Sequence, residues 1–184
     1  VSATVSAPAL PSTRYWGGAH GSGPADAALV LPLILVSQML GMPLGPVLER
    51  FMGPRLTAAL GALMMGSGVM LASSATALLP FVLSYSLLFG LGVGIAYQMP
   101  FITGARWFPS SKGMVTGAII SGMGAAAFLF NMLATRIVNP QGVNAVGGVF
   151  PPEIYARWPG LLRTLAAVYI CLSLTGAMLQ SNPP

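Results

Sequence analysis

The chain has 184 residues, of which 55% are hydrophobic and only 6% charged, with a mean hydropathy of +0.79 and a formal net charge of +5. A soluble domain carries about 25% charged residues, so there is too little polar side chain here to cover a water-soluble globule. The eight Lys and Arg residues are scattered, without the basic run that a nucleic-acid partner requires.

Residues 1–26 are small and weakly polar. They are broken by Pro8, Pro11, Gly17, Gly18, Gly21, Gly23 and Pro24, and read as an extramembrane loop. The chain opens on Val1 with no recognisable signal peptide, which suggests a fragment. Long apolar runs follow, and a bilayer-crossing helix needs about 20 such residues. They predict an all-α, polytopic transmembrane helix bundle with five spans over about 27–48, 56–75, 78–103, 113–138 and 160–180. Pro32 and Pro43 lie inside the first span, where neighbouring helices can satisfy the freed carbonyls. The short link before residue 78 makes the third span return antiparallel beside the second. A longer Asn/Pro/Gly-containing loop, 139–159, precedes the fifth.

Small residues mark where these helices approach one another. Gly41 and Gly45, Gly90 and Gly94, and Gly113 and Gly117 are each four residues apart, so each pair opens a smooth groove on its helix. Gly122 and Gly124 extend the fourth span's share. The one cysteine, Cys171, falls in an apolar run and can form no intrachain disulfide.

Catalytic and metal chemistry lack their residues. The only histidine is His20 and the only acids are Asp26, Glu49 and Glu153, a set with no metal-ligand spacing. All four fall outside the predicted spans or at their edges. A membrane-embedded hydrolase would need a buried nucleophile, base or metal, so neither an enzyme nor a cofactor is expected.

Two turns hold most of the remaining polar character. Gly45, Glu49, Arg50, Gly53 and Arg55 cluster between the first two spans. Arg106, Trp107, Phe108, Pro109 and Lys112 form the turn between the third and fourth. Trp107 and Phe108 suit an interfacial position, where amphipathic rings sit at headgroup level beside Arg106 and Lys112. Inside the spans, Tyr97 and Gln98 are the best candidates to touch a solute, followed by Asn131 and Gln38. A polar side chain at such depth must find a partner in the bundle interior, and interhelical hydrogen bonding is the plainer use for each. Arg163, near a helix end, can snorkel to the headgroups.

The first turn resembles the loop between helices two and three of the major facilitator superfamily, with Gly45, the acid Glu49, the base Arg50, then Gly53 and Arg55. The second glycine comes one residue later than the commonest spacing. Gly90, Gly92, Gly94, Tyr97, Gln98 and Pro100, followed by the Arg106, Trp107, Phe108 and Pro109 turn and by Lys112, Gly113 and Gly117, resemble the oxalate/formate antiporter-like group. Phe130, Asn131, Asn139 and Pro140 look most like its eukaryotic, monocarboxylate-transporter-like members. The resemblance implies part of the N-terminal half of a twelve-helix fold, about helices two to six, with residues 1–26 on the non-cytoplasmic side. It further implies that Gly45, Glu49, Arg50, Gly53 and Arg55 act as a cytoplasmic conformational lock. The implied activity is secondary transport of a small organic anion, a monocarboxylate or a dicarboxylate such as oxalate or formate. The bilayer and a C-terminal half of the same polypeptide would be its structural partners.

Charge does not orient the chain. Arg50, Arg55, Arg106 and Lys112 on one side balance Arg14, Arg136, Arg157 and Arg163 on the other. No span carries a mid-membrane Lys, Arg, Asp, Glu or His, so this half is expected to offer a solute neutral hydrogen bonds and aromatic surface. Any anion-binding cation would then lie elsewhere. A transporter-like solute receptor or a non-transporting membrane scaffold remains an alternative.

Overall fold

The computed structural model describes residues 29–75, 78–140 and 157–183. The 1–26 loop, with His20 and Asp26, and Glu153 in the last loop lie outside the described residues. The described helices are α1 (Val30–Gly41), α2 (Leu44–Ala72), α3 (78–107), α4 (Lys112–Val138) and α5 (Trp158–Leu179).

Local backbone chemistry sets where these rods bend. Met42 and Pro43 keep right-handed helical dihedrals, and the Met42 N–H reaches the Gln38 carbonyl at 3.0 Å. Pro43 removes one donor, yet the dihedrals stay helical through it, so α1 runs on into the start of α2 as a single rod ending at Met52. The real break is Gly53, at φ 79° and ψ 167°, a conformation essentially confined to glycine. Pro54 opens the next rod. Its missing N–H is one that the first helical turn leaves unpaired anyway, and the Thr57 hydroxyl donates to the Gly53 carbonyl at 2.9 Å.

Helix directions follow from the packing partners. Along α3, Ser86 donates to the Val30 carbonyl, Gly90 faces Ser37, Gly94 faces Gly41, and Ile95 faces Gly45. The two numberings rise together, so the 30–52 rod and α3 are parallel. On another side of α3, Gly68 meets Ser84 and Phe89, while Gly61 meets Gly92 and Ala96. That order is reversed, so the rod after Gly53 is antiparallel. It is also antiparallel to α5, since Gly66 packs on Ile170 while Ala58 clusters with Ala177. The chain therefore turns back at Gly53, and α3 sits sandwiched between the two arms of α1–α2.

The contacts are close because the residues are small. A Cβ on Gly41 would lie 2.6 Å from the Leu91 carbonyl oxygen, and one on Gly45 2.7 Å from that of Ile95. Lipid tails are as apolar as leucine, so such helices associate by van der Waals fit rather than by excluding water. Among the described residues, four helical runs are long and apolar enough to cross a membrane: Leu44–Ala72, Leu79–Trp107, Lys112–Ile137 and Pro159–Leu179. No strand occurs among the described residues, so the fold is an all-α bundle.

The fourth helix departs from the sequence expectation. Gly113, Gly117, Gly122 and Gly124 are expected to pack helices, and among the described residues a Cβ on any of them would meet no neighbour within 4 Å. Helix α4 has no buried residue in its most apolar stretch. Among its contacts with the bundle, Val115 and Ile119 meet Gly104, and Phe130 meets Tyr169. Cys171 is exposed and free.

Candidate functional site: a polar clasp at one end of the bundle

Parallel packing brings the C-terminal ends of the 30–52 rod, α3 and α5 to one end of the bundle, beside the start of α4. Both charged turns meet there. Arg106, in the last turn of α3, donates from Nη1 to Glu49 Oε1 at 2.6 Å and from Nη2 to Oε2 at 3.2 Å. This two-pronged geometry is the stronger form of a carboxylate–guanidinium pair. Glu49 is 8% exposed and Arg106 40% exposed, so the carboxylate is sunk among the helix ends while its partner reaches outward. It is the one ion pair among the described residues.

The chain beyond α5 closes over this pair. Arg106 Nη1 also donates to Asn182 Oδ1 at 2.7 Å, the Trp107 indole N–H to the Ser181 carbonyl at 2.7 Å, and Arg55 Nε to the Gln180 carbonyl at 2.5 Å. Beside it, Met52, Gly53, Pro54, Arg55, Leu56, Ser181 and Asn182 line an open cleft of about 370 Å³. Phe108, Pro109 and Lys112 form the exposed turn at this end, closed by a bond from the Ser111 N–H to the Phe108 carbonyl at 3.1 Å. Arg50 points outward and makes no hydrogen bond to a described residue.

The sequence puts both turns on one side of the membrane without pairing them. It does not show that Glu49 takes Arg106 rather than the adjacent Arg50. It also gives no role to Gln180, Ser181 and Asn182. The parallel course of the first and third spans was the available signal, since it places both turns on one side. The strap carried none, because two of its three acceptors are backbone carbonyls, which have no sequence signature.

The proposed solute residues are more dispersed. Gln38, Tyr97 and Gln98 are half-buried, and their side chains make no hydrogen bond to a described residue. Tyr97 packs its ring against Phe101 at 5.4 Å. The Gln38 backbone lies against Gly90 and Gly94, on the same helix as Tyr97 and Gln98. Asn131 stands apart on α4, exposed in a shallow groove with Phe128, Met132, Thr135 and Arg136. Interhelical hydrogen bonding, the plainer expectation for these side chains, is not what the described residues do. The opposite end of the bundle is aromatic instead. Phe81, Tyr85 and Phe89 stack at 5.2 and 5.3 Å along a π-helical stretch, Val82–Leu88, and Tyr169 and Phe130 continue the column at 6.5 and 4.9 Å. Among the described residues no group of three potential metal ligands assembles.

No family profile matches the chain. Apicoplast pyruvate carrier 1 of Toxoplasma gondii is 35% identical across 86% of this chain and 32% of its own length. Monocarboxylate transporter 13 of Rattus norvegicus is 29% identical across 85% of this chain and 33% of its own. An MFS-type transporter of Escherichia coli, YhjX, is 29% identical across 76% and 31%. The chain thus spans about a third of the length of the curated relatives it matches. Those relatives are named as transporters and carriers, not enzymes. Together with the apolar helices, they make this chain a multi-pass integral membrane protein.

Proposed function

We propose that this monocarboxylate-transporter-like chain of the major facilitator type is part of the N-terminal bundle of a secondary transporter for small organic acids. A pyruvate-sized monocarboxylate is the leading solute, by analogy with the carrier of Toxoplasma gondii. In this reading, five helical rods cross the membrane: 30–52, 54–72, α3, α4 and α5. The clasp end faces the cytoplasm, and alternating access proceeds by rocking of this bundle against a second half. The Glu49–Arg106 pair holds the ends of two parallel helices together in one of the two states.

The observation that carries the proposal is the state of Gln38, Tyr97 and Gln98. Three polar side chains sit half-buried in apolar helices without a described hydrogen-bond partner. A polar group held at membrane depth without a protein partner is expected to serve a cavity or a pathway. The absence of a mid-helix charge among the described residues means that they would supply neutral hydrogen bonds, and Tyr97 with Phe101 an aromatic wall. A cation for the carboxylate would come from outside this chain.

The test is uptake of labelled pyruvate, lactate, formate and oxalate by the complete protein in proteoliposomes, for the parent, Tyr97→Phe and Gln98→Ala. Loss of one hydrogen bond of about 1 kcal/mol predicts a roughly fivefold rise in KM or change in selectivity for either variant. Unaltered uptake and selectivity in both would remove these residues from the pathway, and no uptake of any acid by the parent would remove the transport assignment.

A further inference from the structure

We propose that Gln180, Ser181 and Asn182 form a releasable strap that braces the charged end of the bundle, and that Arg55 and Trp107 are the positioning residues that hold it. The inference takes the lock reading of Glu49 and Arg106 as its starting point and adds the element that governs it.

Three successive residues are each gripped from a different place. Gln180 is held through its carbonyl by Arg55 at the start of the second rod, Ser181 through its carbonyl by Trp107, and Asn182 through its side chain by Arg106. Arg55 and Arg106 belong to helices running in opposite directions, so the strap ties the returning arm of α2 to the end of α3. Arg106 is shared. Nη1 has two N–H bonds and serves both Glu49 Oε1 and Asn182 Oδ1, so the strap and the ion pair hang on one guanidinium nitrogen. Removal of the strap frees one of those N–H groups and loosens the hold on the guanidinium that faces Glu49.

The layer beneath the strap shows why it can be released. The buried side-chain polar atoms that lack a partner among the described residues are Thr103 Oγ1 and Gln180 Oε1. Met99 and Ala177 share an apolar cluster; Thr103 lies one turn further along α3 toward the clasp, and Gln180 three residues beyond Ala177, just past the end of α5. One is a hydroxyl that can donate and the other an amide oxygen that can only accept. Burying both unsatisfied opposes the closed arrangement, and lifting the strap would admit water to both. Strong outer grips over an unsatisfied inner layer describe a contact poised between two states.

The experiment uses the complete protein in lipid nanodiscs, with Cys171 and any further cysteine replaced by serine and a single reporter cysteine placed at Ser181→Cys. This change leaves the backbone acceptor for Trp107 in place. Labelling by a membrane-impermeant maleimide is measured for that background alone and with Arg55→Gln, Trp107→Phe, Arg55→Lys or Arg50→Gln. Arg55→Gln and Trp107→Phe are expected to raise the labelling rate about fivefold or more. Arg55→Lys is expected to stay closer to the background, and Arg50→Gln, which alters a charge outside the strap, to match it. Rates unchanged in both Arg55→Gln and Trp107→Phe would overturn the strap. So would an equal rise in Arg50→Gln, since that would report general loosening of the end. Labelling needs no solute, so a parent that transports nothing tells against the transport proposal while leaving this result readable.

Discussion

Helices α3 and α4 carry the same kind of glycine spacing, yet the structure uses them in opposite ways. Gly90 and Gly94 of α3 are pressed against the backbones of Ile34, Gln38 and Gly41, whereas Gly113 and Gly117 of α4 face open space among the described residues. A small-residue pair specifies that a groove exists on a helix; it does not specify that another described helix fills it. The distinction lies in the partner. Gly94 meets Gly41, another glycine, so both surfaces are recessed where they touch. The α4 glycines meet nothing that is recessed to match.

Substitutions at these and neighbouring positions test the contrast. The largest effect is expected at Gly94→Val, whose new atoms would meet the Gln38 carbonyl and the Gly41 backbone, neither of which can rotate away. Overpacking costs about 1–3 kcal/mol even where side chains can adjust. Here the expected outcome is loss of the monodisperse peak in detergent size exclusion, and an intact peak would dissolve the comparison. Next comes Gly53→Ala, where the difficulty is the backbone rather than space, since φ is 79° and nothing lies within 4 Å. Backbone strain of about 1–3 kcal/mol should appear as a clearly lower unfolding midpoint in a thermal melt. No shift would mean that the reversal between the two arms does not need a glycine.

Glu49→Gln should be milder, because half of the pair it removes reaches toward water. Charge-assisted bonds are the strong kind, but solvent screening at a partner that is 40% exposed leaves about 1 kcal/mol. The measurement is a double-mutant cycle with Arg106→Gln in thermal stability, and a coupling indistinguishable from zero would strip the clasp of its energetic role. The smallest effect is expected at Gly117→Ala. With no neighbour to displace, the substitution should be neutral or stabilising, by up to about 1 kcal/mol of helix propensity. If it destabilises the complete protein as Gly94→Val is expected to, the α4 groove is filled by residues beyond those described here, and the two helices are alike after all.

Much of the candidate site was legible for a simple reason. In a chain with 6% charged residues, each cluster of charge marks a place where helices leave lipid, so Glu49, Arg55 and Arg106 stood out against their surroundings. Their pairing was not legible. Glu49 has Arg50 beside it in sequence and takes Arg106 in space, a choice made by two parallel helices ending level with each other. The aromatic column was equally hidden, because Phe81, Tyr85, Phe89, Tyr169 and Phe130 come from three helices, and apolar rings in apolar helices carry no contrast. Gln38, Tyr97, Gln98 and Asn131 were found by polarity against a lipid-like background, but that their side chains make no hydrogen bond to a described residue could be read only from the fold.

The sequence by itself determined that this protein is a helical bundle for a membrane, where its charged turns lie, and which helices have recessed faces. Composition and hydrophobic run length impose those features locally, because each helix satisfies its own backbone and each charge seeks water regardless of its neighbours. Tertiary structure alone decided which recessed faces meet, that Arg106 serves both Glu49 and Asn182, and that the residues after α5 fold back over the clasp. Those outcomes depend on the relative direction and register of separate helices. In lipid, register is set by the fit between surfaces rather than by hydrophobic burial, and that fit has no counterpart in a linear pattern of residues.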